Sequence, residues 1–335
     1  MSLLHPAYRM TIGKRTVDTT DEPRASTVTE LLVELDMETP ADQARLLLGQ
    51  VGGVEPAVGE EVVIELGYAD DGALTRVFTG SVTEAAPGLV TRRITALGPA
   101  DTLLHTFVDR TFEERSAGDL VRELAGEAGI TVAGAEPGIH FPAYVIDGRR
   151  NIHEHLRDLA MLCGFDLYCN AEGELVFRRF TGGDRVHRLR YGEDLLELVF
   201  RQTAPAAAAV EAWGESPAGG ATESWAWLTK DFSAARGSTG SGTPRRLLEH
   251  PALRSAEAAR IAAEAAQTTI ARNTLRGWLL CSGRPAVKLG DAIRLTGLPD
   301  EELEGTYQVR SVTHRLTKAT GFTTTIGFRS VSEGA

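Results

Sequence analysis

The sequence predicts an α+β protein that is mainly β: two related antiparallel β-barrels, a small helix-and-hairpin domain between them, and a helical insertion in the second barrel. Three observations carry this. Residues 1–110 alternate apolar and polar side chains, residues 111–183 change to a period between three and four and then form a hairpin, and residues 184–335 alternate again around one alanine-rich helix. A period of two puts successive side chains on opposite faces of a strand, whereas a period near 3.6 draws an apolar stripe down a helix. A single core stops growing at about 250 to 300 residues. The chain's 335 residues are therefore expected to divide as 1–110 first barrel, 111–183 small α+β domain and 184–335 second barrel.

In the first stretch, Val28–Asp36, Glu61–Tyr68, Arg76–Glu84 and Thr91–Leu97 read as strands. Asp70-Asp71-Gly72 lies between the second and third, and Asp-Gly flanked by alternating apolar residues is a strong hairpin signal. Pro40–Leu48 reads as a short helix or turn inserted between strands. In the middle, Ser116 with Asp119 makes a capping box ahead of Leu120, Val121 and Leu124, and Gly129 supplies a left-handed stop. Asn151 with Glu154 repeats the device ahead of Ile152, Leu156, Leu159 and Cys163, stopped by Gly164. Phe165–Cys169 and Glu174–Phe180 then alternate around the turn-forming Asn170-Ala171-Glu172-Gly173.

The last stretch begins with strands at Leu195–Arg201 and Ala208–Trp213. A Gly-, Ser-, Pro- and Thr-rich loop, 214–250, breaks the pattern, and a helix of strong helix formers follows over 255–272, packed closely as a crossover between strands. Strands return at Leu275–Cys281, Ala292–Thr296, Thr306–Leu316 and Phe322–Ser330. An echo links the two ends. Pro56-Ala57-Val58, Gly59-Glu60, a strand to Leu66, an acidic turn and Ser81-Val82-Thr83 resemble Pro285-Ala286-Val287, Gly290-Asp291, a strand to Leu295, the acidic loop Pro299–Glu304 and Ser311-Val312-Thr313. The spacings differ by one or two residues, so duplication and coincidence both stand as readings of it.

Hydrophobic residues make up 42% and charged residues 24%, the balance of a globular chain rather than a disordered one. No apolar run reaches the ~20 residues of a membrane helix, and MSLLHPAYRM has no leader pattern, so the chain is expected to be made and assembled in the cytoplasm without membrane insertion. Formal net charge is −11, and residues 1–110 hold 17 acidic against 9 basic residues, or −8 of that total. Phosphate contacts need the opposite sign, so nucleic acid is not an expected partner; a solubilising surface or a basic partner remains. Cys163, Cys169 and Cys281 form no CxxC pair and read as reduced apolar side chains.

The search for chemistry returns no catalytic residue, metal ligand set or cofactor site. Gly214-Glu215-Ser216-Pro217-Ala218 misses the last glycine of a nucleophile elbow, and the run Gly237–Thr243 lacks the lysine of a phosphate loop and reads as flexible loop. His153 and His155, two apart on a helix, face different ways and cannot share a metal. His314 reads as a half-buried histidine held by a neighbour, and His5 and His250 precede prolines in turn-like settings. Asp300, Glu301, Glu302 and Glu304 read as a solvated loop, since a glycosidase needs two carboxylates facing across a cleft. Trp225 and Trp227 suit core packing or an interface anchor. The candidate interface residues are thus Trp225, Trp227, Asp70, Asp71, Glu301 and Glu302.

Gly283–Asp291, Gly305–Leu316 and Gly321–Thr324, preceded by the helix Asn151–Ala160, Gly164–Tyr168 and Gly173–Phe177, resemble the late control protein D family of tailed phages. Gly59–Gly67 and Phe78-Thr79-Gly80 are similar to its first barrel, so the likeness spans nearly the whole chain. The resemblance implies a non-enzymatic baseplate hub, similar also to the N-terminal part of VgrG spikes. It implies a homotrimer whose six barrels meet the hexameric inner tube ring, with other baseplate proteins and a separate spike protein as partners. Such a subunit would reside in a phage tail or contractile injection particle. Two competitors come from other classes. A tail-borne cell-wall or glycan hydrolase would need facing acids or a zinc triad, and a carbohydrate-binding adhesion module would expose Trp225 and Trp227 on a flat face.

Overall fold

The structure, a computed structural model, describes residues 5–20, 28–49, 55–214 and 236–331. The first part contains strands β1 (Pro6–Ile12), β2 (Arg15–Asp18), β3 (Val28–Asp36), β4 (Gln43–Gly49), β5 (Glu61–Tyr68), β6 (Thr75–Pro87) and β7 (Thr91–Leu97). The middle holds α1 (Asp101–His105), β8 (Arg110–Ser116), α2 (Ala117–Glu127), β9 (Val132–Ala135), β10 (His140–Ile146), α3 (Ile152–Cys163), β11 (Asp166–Cys169) and β12 (Leu175–Arg178). The last part has β13 (Val186–Arg190), β14 (Leu195–Gln202), β15 (Ala209–Trp213), β16 (Arg236–Gly240), β17 (Arg245–Glu249), α4 (Ala256–Arg272), β18 (Leu275–Ser282), β19 (Ala292–Thr296), β20 (Gly305–Thr317) and β21 (Gly321–Ser330). The fold is mainly β, of α+β class.

The two end segments join in one 13-stranded sheet ordered β14-β18-β21-β20-β3-β4-β7-β6-β5-β1-β2, with β19 also on β20 and β13 on β19. Among the described residues this ladder is open, which corrects the expectation of two closed barrels. The cause lies in strand lengths. β19 has five residues and covers only Gly305–Gln308 of the 13-residue β20, so the remaining edge, Ser311–Thr317, pairs antiparallel with β3. One hydrophobic core runs beneath both halves, from Met10, Leu31 and Ile64 to Val312, Ile326 and Phe328.

The halves repeat one connectivity: β3-β4-β7-β6-β5 and β14-β18-β21-β20-β19 pair in the same order and follow one another in the same sequence order. The match extends to irregularities. The β3–β4 ladder shifts register between Val28 and Glu30, and β14–β18 between Leu195 and Glu197; β6–β7 shifts between Val82 and Glu84, and β20–β21 between Val309 and Ser311. Bulges at matching places are specified features, because each re-aims the strand that carries it. The entry turns match too. Gly59 and Gly290 both have positive φ, 90° and 81°, a conformation that favours glycine. Glu60 accepts from the Ala57 amide at 2.9 Å, as Asp291 does from Lys288 at 3.0 Å. Hydrogen bonds from these turns equate Val82 with Val309, so the Ser-Val-Thr alignment read from sequence, which set Val82 against Val312, was three residues out of register.

Pro40–Leu48 is no helix: β4 fills the ladder between β3 and β7, with Ala44, Leu46 and Leu48 buried on one face. The run Leu46-Leu47-Leu48 masks its period of two. The middle elements follow their caps. The Ser116 hydroxyl accepts from the Asp119 amide at 3.2 Å, the Asn151 side chain accepts from the Glu154 amide at 3.0 Å, and Gly164 ends α3 in the left-handed region at φ 67°. Leu120, Leu124, Leu156, Leu159 and Phe177 bury together.

The segment between β14 and β18 shares that second core rather than the core of the large sheet. Its three strands form a sheet ordered β16-β15-β17, and α4 packs on β15, β16 and α3 through fully buried Ala259, Ala262 and Ala263. Gly237–Gly240, expected as flexible loop, is paired as β16, with Val210 opposite Thr239. Small polar residues hid the strand from sequence; the methyl-sized face of α4 is what lets it lie so close. Trp225 and Trp227 lie outside the described residues.

Candidate functional site

The acidic candidates fall on corresponding turns of the repeat. Asp70 and Asp71 lie on the short 3-10 helix Ala69–Asp71 between β5 and β6, and Glu301 and Glu302 on Glu301–Leu303 between β19 and β20. All four are exposed. Asp70 accepts from the His5 amide at 3.0 Å, which holds its carboxyl below the ordinary value; Asp300 accepts from the Glu302 amide at 3.1 Å and caps its turn. Each pair consists of chain neighbours on a surface turn, not carboxylates facing across a cleft.

Sequence reading missed a buried ionic cluster. Asp166 of β11 is buried and accepts from Arg310 of β20 at 2.5 Å, from Gln308 of β20 at 2.5 Å and from Arg329 of β21 at 3.2 Å. Arg310 also binds Glu38, just past β3. Burial opposes the charge on Arg310, but Asp166 and Glu38 outweigh it and raise its pKa. Burial and the neighbouring Arg310 lower Arg329 to about 10. The cluster ties the middle domain to both sheet halves. No local pattern marks it, since Asp166 and Arg310 are 144 positions apart.

A cleft of about 490 Å³ opens between the middle domain and the sheet, lined by Thr75, Tyr168, Glu172, Arg178, Lys288 and Asp291 among others. Two of its cations are paired, Arg178 with Asp184 at 2.5 Å and Lys288 with Glu172 at 3.4 Å, and Arg185 also lines it. His187 meets Asp291 at 2.8 Å, but the same Asp291 oxygen accepts the Lys288 amide and closes the repeat's entry turn, so this pair has a structural task. Among the described residues no group of three His, Cys, Asp or Glu side chains could hold a metal ion, and no helix is long and apolar enough to cross a membrane. The three cysteines are free and buried, and burial pushes their thiols up to about 11, 12 and 11 for Cys163, Cys169 and Cys281.

His314 is fully buried, not half-buried, and shares a 3.0 Å hydrogen bond with the Thr324 hydroxyl. Desolvation pushes its pKa down to about 3. The unfolded chain takes a proton near pH 6.5 while the folded chain refuses it, so stability is intact above 6.5 and falls as pH drops toward 3. At pH 5 the loss from this residue is expected to reach about 2 kcal/mol. Urea unfolding at pH 7.5 and 5.0 checks it: His314→Gln should show a correspondingly smaller pH effect, and equal slopes for both proteins would refute the assignment.

Comparison with known proteins places the fold. No protein-family model matches the chain. No curated protein matches it either. Among solved structures it is similar to the 43 kDa tail protein of prophage MuSo2 from Shewanella oneidensis, with TM-score 0.71, 15% identity, and coverage of 96% of this chain and 98% of that one. A tail protein from Neisseria meningitidis MC58 has TM-score 0.72 at 11% identity, covering 97% of each chain. A component of the Escherichia coli type VI secretion system, itself similar to T4 phage tail proteins, has TM-score 0.60 at 10% identity, covering 97% of this chain and 77% of that one. The chain thus has a fold found in phage tail and type VI secretion proteins.

Proposed function

We propose that the chain is a structural hub subunit of a phage-like contractile tail or injection machine, forming a trimeric ring that adapts the hexameric inner tube to the spike. The observation that carries this reading is the repeat. Two sheet units of one connectivity, matched at their entry turns and bulges, let three chains offer six near-equivalent units. A threefold assembly can then meet a sixfold ring. The likeness to tail and secretion-system structures over nearly the whole chain supports it. The acidic turns at Asp70-Asp71 and Glu301-Glu302, repeated six times around such a ring, are its proposed docking points for a basic tube ring or baseplate protein.

The test is mass in solution. Size exclusion with light scattering at micromolar concentration is expected to give about 108 kDa, three times the 36.0 kDa chain. A stable monomer would sink the proposal.

A further inference from the structure

The junction between the two halves inside one chain shows how the halves of different chains would meet. Within the chain, β3, the first strand of the first repeat, pairs along the distal half of β20, the fourth strand of the second repeat. Among the described residues the converse strands are open: β14, the first strand of the second repeat, pairs only with β18, and beyond Val82 β6 pairs only with β7. We infer that β14 of one copy pairs antiparallel with the distal half of β6 of the next copy, so that the junction within the chain is repeated between chains. This rests on the hub reading and specifies its interface.

The register follows from the repeat. Matching bulges equate Leu195–Gln202 with 28–35 and Glu84–Pro87 with Ser311–His314. Within the chain Leu35 stands opposite Val312, Glu34 opposite Thr313 and Val33 opposite His314. Between chains this becomes Gln202 opposite Ala85, Arg201 opposite Ala86 and Phe200 opposite Pro87. In that register Arg201 lies diagonal to Glu84 on one face; both are exposed, and neither has an ion-pair partner among the described residues.

Exposure of apolar side chains points independently to the same two edges. Leu89 and Val90 at the tip of the β6–β7 hairpin are 98% and 77% exposed, and Leu196 and Val199 on β14 are 66% and 39% exposed. Leu89 lies on the turn just past Pro87, at the end of this register, where the longer β20 within the chain sets Leu316 opposite Leu31, 9% and 0% exposed. Pro87 has no N–H to offer across the junction, so Phe200 can bond only its carbonyl. Proline on an open edge also discourages pairing with unrelated strands. The contact is head to tail, and it closes a ring of alternating first and second units with three copies.

The full chain carrying Arg201→Cys and Ala86→Cys tests it. The two would be a directly opposed, non-hydrogen-bonded pair with Cα atoms about 4.5 Å apart, inside the range a disulfide spans. Mild oxidation is expected to give covalent trimers on a denaturing gel, while Arg201→Cys with Ala85→Cys, on opposite faces, should give at least tenfold less. Leu89→Asp, at a side chain outside the core, should weaken the trimer at least tenfold in dissociation constant with the monomer's circular dichroism unchanged. A trimer by light scattering that neither crosslinks in register nor responds to Leu89→Asp would overturn the pairing and leave the hub reading standing. A monomer by light scattering would remove both.

Discussion

Replacing Asp166 with alanine is expected to lower the unfolding free energy by about 3–5 kcal/mol, because it strands buried cations without their counter-charge. Asp166 accepts from Arg310, Arg329 and Gln308 at once, and Arg329 also donates to Gln308 at 2.9 Å, so no member can rotate away to water without breaking another bond. Glu38 would remain for Arg310, but it sits at the exposed end of the cluster. Thermal or urea melts of Asp166→Ala beside Glu38→Ala separate the two roles. The Glu38 variant should lose no more than about 1 kcal/mol, as exposed ion pairs do. If Asp166→Ala melts within about 1 kcal/mol of the parent, the cluster does not join the domains energetically. Since it is the joint between the middle domain and the sheet, limited proteolysis should also cut the Asp166→Ala variant more readily around β11.

The second large effect is expected at Gly237, where the space for a side chain is already filled by the helix backbone. A Cβ there would collide with the Arg260 amide and the Ala259 carbonyl group of α4. Neither can move without moving the helix, so Gly237→Val is expected to cost about 3 kcal/mol and to lift the β15–β17 sheet from α4. Gly126 in α2 meets nothing within 4 Å, and Gly126→Ala should be neutral or stabilising by up to about 1 kcal/mol through helix propensity. Chemical denaturation of the two variants gives the comparison. A Gly237→Val protein as stable as the parent would mean that the sheet does not sit on the helix as described.

These two sites also show why parts of the molecule could not be read from sequence. Gly237 belongs to a Gly/Ser run that looks like loop, because nothing local announces that a helix of alanines lies against it. Asp166 looks like an ordinary hairpin residue, since its three partners are 142 to 163 positions away. β4 was misread for a different reason: three consecutive leucines erase the alternation, and only its place between β3 and β7 makes it a strand. The acidic turns, by contrast, were legible as exposed turns, yet their equivalence needed the ladder.

What the sequence determined by itself was the local grammar. Caps at Ser116 and Asn151, the stop at Gly164, alternation over Val28–Asp36 and Ala292–Thr296, and the echo between the chain's ends each depend on side chains within a few positions of the backbone they govern. Only the tertiary structure decided which edges meet: that β3 lies on β20 with Glu30 and Arg315 paired across 285 positions, that the sheet stays open, and that the α4 segment joins the middle core. A strand edge offers the same N–H and C=O groups to any partner. The choice among partners therefore comes from strand length, bulge position and the apolar area each docking removes from water, and these become quantities only once the chain has folded.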